Sequence, residues 1–115
     1  MAARRFYKAP ATGLTDSIMK DGFNPADFPG TPGDMYADGS AYFGLGDKGK
    51  DIALDYASRG SWDSNVIEVR IPKADFEKYF SQYVARYDGV PDAQVIIPNT
   101  AFERLNQYPR SIVGQ

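Results

Sequence analysis

The run Asn65-Val66-Ile67-Glu68-Val69-Arg70-Ile71 limits the possible folds more than any other stretch. Ile67, Val69 and Ile71 fall on one side of an extended chain and Glu68 and Arg70 on the other, a period of two that no helix accommodates. It reads as a strand with one face in a core, ended by Pro72. Such a strand needs partners, and the chain supplies them. Arg5-Phe6-Tyr7-Lys8-Ala9 runs up to Pro10, an aromatic pair Tyr42-Phe43 follows Gly39 and Ser40, and Gln82 to Tyr87 alternates through Tyr83, Ala85 and Tyr87. Ala93 to Ile97 is a further strand stopped by Pro98, with Asp88-Gly89-Val90-Pro91-Asp92 as turn material before it.

Helical segments are shorter. Thr12 is placed to cap a helix carrying Leu14 and Ile18, with Asp16 in its first turns and Gly22 as its stop. After the glycines of Gly44-Leu45-Gly46-Asp47-Lys48-Gly49-Lys50, read as a tight turn, a second helix starts at Asp47 or Asp51 and brings Ile52, Ala53, Tyr56 and Ala57 to one face. Asp75 to Phe80 reads as a helical turn burying Phe76, Tyr79 and Phe80, and Asn99 can cap a last short helix holding Phe102 and Leu105. Asn24 to Gly39, dense in Pro, Gly and Asp, reads as a long irregular loop of the kind that carries function. At 115 residues the chain makes one domain, 1–115, of α+β class with a largely antiparallel sheet.

Composition narrows the chemistry. A net charge of -2 leaves no surplus of Lys and Arg for neutralising a nucleic-acid backbone. With no Cys and no His, thiolate sites, disulfides and imidazole bases or ligands are excluded, and any metal would rest on carboxylates. No metal is expected. Nothing reaches the length of a membrane span, and Met1-Ala2-Ala3-Arg4-Arg5 leads into polar sequence, so the chain reads as cytosolic or as an excised domain, with no membrane partner. The glycines near Lys48 lack the spacing of a phosphate-cradling loop.

The candidate site is aromatic. A strand that presents Tyr42 and a following helix that returns Tyr56 can form a flat slot for a planar ring, with a packed core tyrosine as the other reading of each. Arg4, Arg5 and Lys8 form the only basic cluster, and alternation puts Arg5 and Tyr7 opposite Lys8, so one of Arg5 and Lys8 faces any cleft there. Glu68 lies on the polar side of its strand, where a carboxylate in water or beside Arg70 is the ordinary reading. Trp62, beside Asp63, reads as a packing anchor or as a substrate contact.

The order of these parts resembles the ADP-ribosyltransferase fold, above all the small toxin domains at the ends of bacterial polymorphic toxins. Phe6-Tyr7-Lys8-Ala9 with a helix ending in Asp21-Gly22-Phe23 is similar to the family's first strand and helix. Gly39-Ser40-Ala41-Tyr42-Phe43 with Ala53 and Tyr56-Ala57 resembles the Gly-x-Tyr-Phe and Ala-x-x-Tyr pairing of the diphtheria-toxin and poly-ADP-ribose polymerase branch. Val66 to Pro72 and Gln94-Val95-Ile96-Ile97-Pro98 look like its closing strands. The likeness implies a split, mostly antiparallel sheet with a few short helices, NAD as the bound substrate, and ADP-ribose transfer to a macromolecular acceptor. It further implies an effector delivered or secreted into a target cell's cytoplasm in interbacterial competition, and a cognate immunity protein.

Carried over residue by residue, the likeness makes Arg5, Tyr7, Lys8, Ser40, Tyr42, Phe43 and Tyr56 the NAD-binding set, with Gln94 or Glu68 in the catalytic place. Two positions depart from the family's pattern. Lys8 stands nearest to a family His or Arg, with Arg5 three residues earlier, and Gln94 stands where active members have Glu. Cleavage of the nicotinamide bond develops positive charge on the ribose, which a carboxylate stabilises. Gln keeps the hydrogen bonds but not the charge, and loss of such a partner commonly costs about 10² or more in rate. A binder with little turnover, recruitment of Glu68 and an engineered Glu-to-Gln replacement are each compatible with this sequence. So are an NAD glycohydrolase of the same fold and a non-catalytic interaction module.

Overall fold

Every strand pairing in the computed structural model is antiparallel, and the structure describes residues 3–28, 30, 39–60 and 62–113. Six strands, β1 (Ala3–Lys8), β2 (Ser40–Leu45), β3 (Val66–Pro72), β4 (Val84–Tyr87), β5 (Val90–Pro98) and β6 (Arg110–Val113), form one sheet in the order β4-β5-β2-β1-β3-β6. The α-helices are α1 (Thr15–Asp21), α2 (Gly46–Ala57), α3 (Lys73–Asp75) and α4 (Phe102–Leu105), so the α+β class and antiparallel sheet stand as expected.

The period of two in β3 sorts the molecule into layers. Ile67, Val69 and Ile71 join Phe6, Phe43, Val95 and Ile97 in the main core, closed by Ile18 of α1, by Phe76 and Phe80 after α3, and by Phe102 and Leu105 of α4. Phenylalanines meet there edge to face, Phe6 with Phe80 at 5.7 Å and Phe28 with Phe102 at 5.2 Å between ring centres. On the opposite side of the sheet, Ala53 and Ala57 of α2 pack on Tyr7, Ala9 and Val66.

Several boundaries differ from the expectation for identifiable reasons. Helix α1 starts at Thr15 rather than after Thr12, because its cap is not local. The Asp63 carboxylate accepts hydrogen bonds from the Gly13 and Thr15 backbone N–H groups and from the Thr15 hydroxyl at 2.8, 3.1 and 2.7 Å. Helix α2 begins at Gly46, earlier than Asp47 or Asp51, since Gly46 at φ +68° turns the chain directly out of β2.

Strand β5 takes in Val90, Pro91 and Asp92, which looked like turn. Asp88 and Gly89, at φ 49° and 80°, alone make the hairpin. Residues 82 and 83 belong to a helical turn, not to β4, and β6 was not anticipated.

Asn99 does not cap α4. Its side-chain amide donates to the Phe28 carbonyl at 2.9 Å and its backbone N–H to the Gly39 carbonyl at 2.9 Å, so one residue grips the expected loop at an inner position and at its end. Within that loop Pro25–Asp27 forms a 3-10 turn and Phe28 enters the core, while Pro29 and residues 31–38, including Asp38, lie outside the described residues.

Candidate functional site

β1 pairs with β3 at six positions, from Ala3 to Lys8, but with β2 only at Phe6↔Leu45 and Tyr7↔Gly44. Beyond Tyr7 the two strands part, and the sheet opens on the side covered by α2. The helix can lie close because neither Gly44 nor Gly49 has a side chain. A Cβ on Gly44 would sit 2.1 Å from the Gly49 carbonyl oxygen, and one on Gly49 2.1 Å from the Gly44 carbonyl carbon. The glycine run read as a turn is therefore a helix–strand contact.

The opening is a cleft of about 200 Å³ walled by Tyr7, Tyr42, Tyr56, Trp62 and Tyr87, with Gln94 at one side. That volume suits a single ring rather than a whole dinucleotide. Tyr42 and Tyr56, reached from separate elements, thus line one cleft, and Tyr42 is 40% exposed at its mouth. Tyr56 is oriented on several sides. Its hydroxyl and that of Tyr87 are hydrogen-bonded at 2.9 Å, and its ring stands nearly perpendicular to Trp62 at 5.8 Å and to Tyr87 at 6.4 Å. The Arg59 guanidinium, ion-paired to Asp55, lies 4.3 Å from the Tyr56 ring centre. The bond to Tyr56, with burial second, raises the pKa of Tyr87. Gln94 pairs with Gly44 on β2 and with Ala85 on β4, and its amide donates to the Arg86 carbonyl.

Tyr7 is the partition between this cleft and a second recess lined by Arg5, Gly46 and Asp47. Across the strand pair it faces Glu68. Burial raises its pKa first, the hydrogen bond to Glu68 and the charge of that carboxylate add to the shift, and Arg5 opposes it. Glu68 corrects one expectation. Far from facing water it is 6% exposed, because α2 packs over that side of the sheet, and its carboxylate lies 3.6 Å from Arg70. It does not line the aromatic cleft.

The basic pair separates as alternation requires. Arg5 shares the Tyr7 side and lines the second recess. Lys8 sends its ammonium into the main core, 5.7 Å from the Phe28 ring centre, 5.8 Å from that of Phe43, and 3.3 Å from the Tyr42 carbonyl that accepts its hydrogen bond. Burial lowers its pKa to about 7. Phe43 borders the cleft, yet its ring packs against Phe23 at 5.2 Å and Phe6 at 5.9 Å in the core. Ser40 is buried at the start of β2, away from the cleft.

Tyr87 is the wall that sequence reasoning missed, since its period-two setting marked it as a strand residue and nothing local tied it to Tyr56. Trp62 joins the cleft instead of serving only as an anchor. No cluster of metal-ligating side chains occurs among the described residues, and none of their helices is long and apolar enough to cross a membrane. Comparison with family models, curated proteins and solved structures gives no match.

Proposed function

We propose that the chain binds NAD through this cleft and is an ADP-ribosyltransferase-like toxin domain that modifies a macromolecular target. The single observation that carries the reading is the meeting of Tyr42 and Tyr56 in one ring-sized opening at the divergence of β1 and β2, with Gln94 beside them. In this reading the tyrosines hold the nicotinamide ring, Arg5 in the adjoining recess takes a phosphate or ribose oxygen, and the Gln94 carboxamide bonds the ribose hydroxyl. An effector role in a target cell and an immunity protein that plugs the cleft belong to the same proposal.

No carboxylate lines the cleft among the described residues. This favours a second reading with the same ligand, a domain that binds NAD and turns it over little. The charge absent at position 94 is what an oxocarbenium-like transition state needs most. Calorimetric titration with NAD, followed by a nicotinamide-release assay on the parent and on Gln94→Glu, separates the cases. Binding by both forms with release accelerated in Gln94→Glu supports a transferase chemistry, and release without any acceptor protein identifies a glycohydrolase. Binding with no release in either form leaves the binder. If neither form binds NAD, the nucleotide reading is lost.

A further inference from the structure

We propose that the cleft selects a flat organic cation, an N-alkylated pyridinium, over a neutral ring of the same shape. The inference rests on the opening assigned above to the nicotinamide ring, though not on the rest of a nucleotide, and the two fail separately.

The walls are Tyr7, Tyr42, Tyr56, Trp62 and Tyr87. The rings of Tyr56 and Trp62 meet at 76° and those of Tyr56 and Tyr87 at 75°, so these three lining residues pack edge to face rather than as a stack. Aromatic faces carry the negative part of the ring quadrupole and attract a cation that has shed its water. Tyr56 already carries a cation at the surface, the half-exposed Arg59 guanidinium at 4.3 Å, whose own charge is paired with Asp55. Of the remaining polar groups, the Tyr56 and Tyr87 hydroxyls share one hydrogen bond, and Gln94 is neutral.

With no carboxylate among the described lining residues, the discrimination between charged and neutral ligands falls to the rings themselves. A neutral aromatic ligand would gain contact and burial from the same walls but not the charge–quadrupole attraction. Among the described lining residues the cationic side chain is Lys8, directed into the core and with its pKa lowered to about 7, so the measurement belongs at pH 8, where it carries little charge.

The probes are 1-methylnicotinamide, a permanent cation, and nicotinamide, its neutral counterpart, each titrated by calorimetry into the intact chain. The expected result is affinity for the cation higher by about tenfold, as a half-open aromatic site provides. Tyr87→Leu is expected to remove most of that preference, while Tyr87→Phe, which keeps the ring, retains it. Trp62→Leu replaces Tyr87→Leu if that variant gives no cooperative unfolding transition. Equal affinities, tighter binding of nicotinamide, or binding of neither probe overturns the inference. Binding of 1-methylnicotinamide without binding of NAD would retain it and remove the nucleotide reading. Equal affinity for NAD and its reduced form would do the reverse.

Discussion

Lys8 makes the stability of the fold depend on pH in an unusual direction. Its folded pKa, about 7, lies below the 10.5 of an exposed lysine, so between those values the unfolded chain binds a proton that the folded chain does not. The cost of burying the ammonium is therefore complete below pH 7 and is relieved as the pH rises towards 10. Denaturant unfolding from pH 7 to 10 is expected to show stability increasing, and Lys8→Met, more stable than the parent at pH 7, is expected to flatten that rise. Identical slopes in the two proteins would refute it. Above pH 10 the sign reverses, because Tyr7, Tyr87 and Tyr108 have pKa values raised by burial and hydrogen bonding. From sequence, alternation alone separated Lys8 from Arg5, but nothing local said which side of β1 held the larger core. The burial of Glu68 was hidden for the same reason, since a polar strand face looks alike whether water or a helix covers it.

Two elements depend on contacts remote from their own sequence. Helix α1 is capped by Asp63, whose pKa is lowered first by the Gly13 backbone N–H and then by the Thr15 hydroxyl. Asp63→Ala is expected to cost about 1–2 kcal/mol, as loss of an N-cap does, measured by denaturant unfolding. In the parent this contribution is present above pH 3.8 and is lost as the pH falls through the lowered folded value. Helix α2 depends on the Gly44–Gly49 contact. Gly49→Ala would gain about 1 kcal/mol of helix propensity in isolation. Here the overlap with Gly44 dominates, and we expect a net loss of roughly 1–3 kcal/mol together with weakened ligand binding, whereas Asp51→Ala on the exposed side of α2 changes neither. The turn at Asp88-Gly89 was legible because Gly takes positive φ freely and Asp tolerates it, whereas Val90-Pro91-Asp92, read as part of the turn, joins β5. The start of α1 was not, because Thr12 offered a plausible cap and the true one comes 48 or more residues later.

At the scale of the molecule the sheet is two three-stranded halves, β4-β5-β2 and β1-β3-β6, joined by only two residue pairs between β1 and β2. A ligand held between Tyr42 on one half and Tyr7 on the other bridges that narrow junction. NAD at a hundredfold excess over its Kd is expected to raise Tm by roughly 10 °C for a chain of this length, and Tyr42→Ala, at the exposed mouth, to remove the rise while leaving the unliganded Tm nearly unchanged. A differential scanning experiment reads both. The α+β class and antiparallel pairing followed from strand periodicity, whereas the sheet order did not, since most neighbours are distant in sequence and β6 is only four residues long. The grip of Asn99 on Phe28 and Gly39 has one more effect. Removing the side chain alone, as in Asn99→Ala, frees the Phe28 carbonyl while the backbone bond to Gly39 stays in place, so the two halves of this tie can be cut one at a time.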